Sequence, residues 1–176
     1  MVEGKATTEI GARIMKLEEL FLNTLKDIYF AERQILKALP KMIKAAQDPK
    51  LKEGFTSHRA ETDGQVERLQ QVFEAIGKRA QGKTCEAIKG IIEECEELLE
   101  EAPAASVVRD AGLIACGQAV EHYEMSRYGT LIAWATVLGH TEVVALLQAN
   151  LDQEKNADAL LTKAAGAINA AAAKAA

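Results

Sequence analysis

The sequence is short of proline, with three, and of aromatics, with four Phe, three Tyr and one Trp in 176 residues. Few prolines leave few obligatory helix breaks, and the scarcity of aromatics beside abundant Ala, Leu, Glu and Lys argues against a sheet-rich fold. No apolar run approaches the ~18 residues of a membrane span, and no basic start precedes an apolar segment, so a cytoplasmic protein without membrane contact is expected. There is no basic stripe, and a formal net charge of −5 excludes nucleic acid as the natural partner. Three cysteines (Cys85, Cys95, Cys116) make neither a CxxC pair nor an even disulfide set, and reduced structural thiols are the expectation.

What is present is helical period. The first residues, MVEGKATTEIGA, carry no clear period and are expected to form a loose arm over 1–13. Apolar positions at alternating three- and four-residue steps then predict four long helices. The first, 14–46, presents Phe21, Leu25, Ile28, Glu32, Ile35 and Leu39, with a kink or local break expected at Pro40. The second, 49–76, opens on Pro49 and presents Phe55, His58, Thr62, Gln65, Leu69, Val72 and Ile76, with Glu61 beside the stripe. The third, 106–138, presents Ile114, Gly117, Glu121, Glu124, Tyr128, Leu131, Ala135 and Leu138. The fourth, 141–165, starts from Thr141 as N-cap and presents Val144, Leu147, Leu151, Glu154, Asp158, Leu161 and Ala165.

Between the second and third helices, a short amphipathic segment over 84–101 turns Ile88, Ile91, Ile92, Cys95 and Leu98 inward. Its outer face carries Glu93, Glu94, Glu96, Glu97, Glu100 and Glu101, a solvated run. Two tight hairpins joined by one long crossover make an all-α, ferritin-like four-helix bundle over 14–166, with an extra short helix in the crossover. The alanine-rich tail, 167–176, either extends the last helix or frays. A weak duplication is visible: Glu32 to Glu61 spans 29 residues and Glu124 to Glu154 spans 30.

The exceptions to the apolar pattern carry the chemistry. Glu32, His58, Glu61, Glu121, Glu124, Glu154 and Asp158 fall near the middles of the four long helices, in or beside the core seam. A carboxylate without a partner in an apolar core costs several kcal/mol or takes up a proton. Two cations resolve the conflict, and a donor set of oxygens with one imidazole suits iron or manganese. The bundle di-metal pattern of Glu-x-x-His is not met, since Gly64 and Ala157 stand where those histidines would fall. His58, one turn before Glu61, and Asp158, one turn after Glu154, take their places, and so acidic a set disfavours zinc. The competing reading is a salt-bridged interior in which Arg59, Arg127 or Lys155 neutralises the acids. His122 and His140 are expected outside the site, Tyr29 and Tyr128 are candidates to hydrogen-bond a ligand carboxylate, and Trp134 is read as core.

The segments "LFLNTLKDIYFAERQILKALPKM", "SHRAETDGQVERLQQVFEAIG", "VEHYEMSRYGTL" and "LLQANLDQEKNADALLTKAA" resemble the YciF-type ferritin-like proteins, a bacterial stress-response family. The resemblance covers residues 17–166 and implies a rubrerythrin-like di-iron centre, a cytoplasmic setting and a homodimer. Glu121 and Glu124 are similar to the paired acids on the third long helix of rubrerythrins, which reduce peroxide, but the paired CxxC module that feeds them electrons is missing. The expected function is a protein that binds two iron ions, with manganese as the alternative, and reacts with O2 or peroxide. In that scheme Glu61 and Glu154 bridge, Glu32 and Glu124 are terminal, and His58, Glu121 and Asp158 complete the ligand set. A structural or interaction protein whose metal only holds the bundle together is the alternative, and an iron-storage cage a third.

Overall fold

The computed structural model describes residues 15–175, so the arm expected over 1–13 lies outside the described residues. Five helices follow one another: α1 (Leu17–Ala45), α2 (Pro49–Ala75), α3 (Glu86–Glu101), α4 (Val107–Leu138) and α5 (Thr141–Ala172). No strand occurs among the described residues.

Local chemistry sets most of these boundaries. Asp48 caps α2 by accepting from the backbone amides of Lys50 and Leu51 at 2.9 and 3.0 Å, with Pro49 in the first turn. Ser106 Oγ accepts from Arg109 N at 3.1 Å and opens α4. Gly139, at φ +79°, closes α4 in the left-handed conformation that favours glycine. The residue capping α5 is His140 rather than Thr141, and its ring lies 5.7 Å from that of Phe21.

The break expected at Pro40 does not occur, for α1 runs through it to Ala45. Pro40 sits on the exposed side of the helix, where a carbonyl deprived of its helical donor can be hydrated. The tail extends the last helix as far as Ala172, and Ile168 is buried there.

α1 and α2 form one antiparallel hairpin, α4 and α5 the other, and they pack with α1 on α4 and α2 on α5. α3 lies outside this square against α1 and α4. The buried Asp110, near the start of α4, ties the hairpins together by accepting from Gln47 N and Asp48 N in the α1–α2 turn, both at 2.8 Å. The core runs along the inside of the square, with Leu25, Ile28, Leu69, Val72, Leu131 and Leu147 fully buried. In its middle the apolar lining gives way to acid.

Candidate metal centre

Each side of the square contributes to that interruption. α1 supplies Glu32, α2 His58, α4 Glu121 and Glu124, and α5 Glu154, and all five are buried, none more than 6% exposed. The three- and four-residue steps that put leucines inward elsewhere put these side chains inward too. Gly117, one turn before Glu121, lets α5 close in, since a Cβ there would stand 2.9 Å from Leu161 Cδ1.

Ligand atoms of His58, Glu121, Glu124 and Glu154 all lie within 4.8 Å of one another, close enough to share one cation. His58 Nε2 is 3.4 Å from Glu121 Oε1, and its Nδ1 is 4.0 Å from Glu61 Oε2. Glu32 faces Glu124 and Glu154 across the square and accepts a hydrogen bond from Tyr128. Tyr128 accepts in turn from Asn150 Nδ2 at 2.9 Å, and Asn150 accepts from Arg68.

The electrostatics are those of a site waiting for positive charge. Burial, reinforced by neighbouring carboxylates, pushes Glu121 up to about 8 and Glu154 up to about 10, and raises Glu32 and Glu124 well above the usual carboxylate range. Burial pulls His58 down to about 4, leaving a neutral imidazole with a free lone pair. Both oxygens of Glu124, both of Glu154, Glu121 Oε2, Glu32 Oε2 and both His58 nitrogens make no hydrogen bond among the described residues. Buried polar atoms are almost always satisfied, so a cluster of orphaned acceptors on five converging side chains fits a bound cation.

Of the seven expected residues, the structure brings Glu32, His58, Glu121, Glu124 and Glu154 together. Glu61 stands at the rim, with its side chain 33% exposed. Asp158 stays outside the group of four: its carboxylate accepts from Gln118 Nε2 at 3.1 Å and lies 3.3 Å from His122 Nε2. Expected to face inward, it yields its place in the seam to Ala157. An open cleft between α2 and α5, flanked by Gly54, Ser57, Glu61, Asn156 and Leu160, leads to His58 and Glu121.

Two polar residues at the centre, Asn150 and Arg68, were not read from the sequence, whereas Gln65 was expected in the α2 stripe. Asn150 and Gln65 are fully buried beside the acids, and Arg68 reaches in through Asn150 and Gln153 to attract Glu32. Asn150, three residues after Leu147 and four before Glu154, was legible from spacing alone. Arg68, not Arg59, Arg127 or Lys155, is the base that acts on the site. Arg127 instead covers the ring of Tyr123 at 5.1 Å. Of the two tyrosines, Tyr128 serves a site carboxylate, whereas Tyr29 accepts from Gln70 Nε2 at 3.2 Å and packs edge-on against Phe73.

Fold and site together define an all-α bundle with a buried His/Glu cluster that could hold metal. Residues 16–174 match the family described as Domain of unknown function (DUF892), and the chain belongs to that family. It is 42% identical to Protein YciF of Escherichia coli (strain K12) over 147 residues, spanning 83% of this chain and 88% of that protein. The crystal structure of the E. coli stress protein YciF superposes with a TM-score of 0.83 at 40% identity, covering 88% of this chain and 98% of that one. YcfI of Rhodopseudomonas palustris, proposed to be a structural protein, gives 0.83 at 49% identity over 87% and 97% of the two chains. The resemblance to YciF-type proteins drawn from the sequence is therefore borne out. No described helix is long and apolar enough to cross a membrane.

Proposed function

We propose that this chain binds two iron ions, with manganese as the alternative, and consumes O2 or peroxide as part of a stress response in the cytoplasm, as a homodimer. The observation that carries the reading is the set of unpartnered carboxylate oxygens on Glu121, Glu124 and Glu154 around the neutral His58. Oxygen donors with one imidazole favour iron or manganese over zinc. His58, Glu121, Glu124 and Glu154 would hold one ion, and Glu32, which faces Glu124 and Glu154, would hold the second together with them, while Glu61 stands at the rim beside His58 and Asp158 lies outside. Iron held there supplies electrons for the reduction of O2 or a hydroperoxide. The chain's own part is to fix the ligands and limit access. Tyr128, braced by Asn150, orients Glu32. The cleft between α2 and α5 admits a small oxidant to His58 and Glu121.

A second reading, in which metal only holds the bundle together, draws support from the structural role proposed for YcfI. Iron oxidation separates the two. Ferrous iron loaded anaerobically and then given peroxide or air should turn ferric faster with the protein than in buffer. Glu124→Ala and Glu154→Ala should abolish the acceleration. Equal rates in parent and variants would favour the structural reading.

A further inference from the structure

The three cysteines are free, and two of them meet where the crossover helix lies on the bundle. α3 and α4 are antiparallel neighbours held at close range near their shared turn. The Arg109 guanidinium donates to the carbonyls of Leu99 and Ala102, and a Cβ at Gly112 would stand 2.6 Å from both Leu98 methyl carbons. The bare glycine therefore lets Leu98 seat directly on α4. From that contact, one turn back along α3 is Cys95 and one turn forward along α4 is Cys116, so the two thiols come to the same side of the α3–α4 contact, near enough for each to perturb the other. Both line a cavity between α1, α3 and α4 that also reaches His58 and Glu121. Its open volume is about 30 Å3, against the ~10–15 Å3 that one water molecule needs. That is room for a molecule the size of hydrogen peroxide.

We propose that Cys95 and Cys116 form a redox-active pair that reduces a small hydroperoxide, with Cys116 as the attacking thiolate and Cys95 as the resolving thiol. Cys116 is the more accessible of the two, and the neighbouring Cys95 side chain holds its thiol below the usual range. The Cys116 sulfur attacks one peroxide oxygen. The O–O bond breaks, a sulfenic acid forms, and the departing hydroxide takes a proton and leaves as water. The Cys95 thiol then attacks the Cys116 sulfur and gives up its proton, the S–S bond forms, and the sulfenic oxygen takes that proton and leaves as a second water. Two thiols lose two electrons and two protons, and one hydrogen peroxide becomes two waters. The resulting disulfide ties α3 to α4. An external dithiol reverses it. This chemistry needs no metal and stands apart from the iron reading.

The test uses the full chain in a chelating buffer, so that its failure says nothing about iron. One equivalent of hydrogen peroxide should lower the free thiols from the three of the sequence to one per chain, and dithiothreitol should restore them. Trypsin cuts after Lys89, Arg109 and Arg127, placing Cys85, Cys95 and Cys116 on separate peptides, so the 95–116 link is read directly by mass. Cys95→Ser should stop at one added oxygen on Cys116, trapped by dimedone, and Cys116→Ser should slow peroxide consumption roughly tenfold or more. The peptide map of the parent decides the matter even if a variant folds poorly. A parent that forms no 95–116 link while folded, or in which Cys85 is oxidised as fast as Cys116, overturns the proposal.

Discussion

Glutamate occurs in two settings in this chain. On α3, Glu93, Glu94, Glu97, Glu100 and Glu101 are exposed, and Glu96, also exposed, pairs with Lys41 at 3.0 Å. Along the bundle seam, Glu32, Glu121, Glu124 and Glu154 are 0–3% exposed, and most of their oxygens lack any protein partner. The denser run is the unremarkable one, because every carboxylate on it is open to water. The sparse set carries the energetic conflict, because each member occupies a place where the helical period delivers a core side chain. Position within the period, not local acidity, separates a solvated acid from a candidate ligand.

The largest expected difference between the two sets is in pH response. Without metal, the seam acids have folded-state values raised above the ordinary 4.5, to about 8 for Glu121 and about 10 for Glu154. Each contributes stability that is fully present below the unfolded value and is lost as pH rises through the folded one. His58, lowered from 6.5 to about 4, works the other way, since its contribution is present above 6.5 and is lost as pH falls toward 4. Four acids outweigh one imidazole, so the melting temperature of metal-free protein should fall from about pH 5 to pH 8. The gain from added metal should grow over the same range, because ligation needs deprotonated carboxylates. A metal-free melting temperature that stays level over that range would erase the distinction between the two sets.

Replacing Glu124 and Glu154 together by Leu removes the conflict instead of feeding it. Exchanging buried ionic groups for packed apolar ones often stabilises by ~1–4 kcal/mol. The double variant should melt above the metal-free parent and gain nothing from added iron, whereas the parent gains by linkage. A metal-free parent that melts as high as the Leu variant would mean that protein or water already satisfies those acids.

Smaller effects sharpen the contrast. Tyr128→Phe takes the donor from Glu32 and the acceptor from Asn150, and should cost about 1–2 kcal/mol in denaturant melts. Changing Glu97 and Glu100 on α3 to Gln should move stability by no more than about 0.5 kcal/mol. A larger shift on α3 than at Tyr128 would invert the ordering.

Most of the bundle was readable because steps of three and four leave little freedom on helices packed on two sides. The α4 seam from Ile114 to Ala135 is buried at every expected position, acids included. On α5 the same rule allows two continuations from Glu154, to Ala157 or Asp158. Spacing cannot choose between them. The structure chooses Ala157, because Gln118 and His122 on α4 give Asp158 polar company at the edge. The earlier part of the α5 stripe is likewise one residue early, with Val143 rather than Val144 fully buried. Arg68 was hidden for another reason: a long side chain can start beside the seam and still act inside it through Asn150.

The central claim, that the seam acids are ligands, is tested most directly by counting metal. Metal-free protein titrated with ferrous iron under anaerobic conditions should bind close to two ions per chain. Glu154→Ala, which removes a member of the close group of four, should bind at most one ion, and weakly. A folded parent that takes up no ferrous iron or manganese, or a Glu154→Ala chain that binds as the parent does, would contradict the claim.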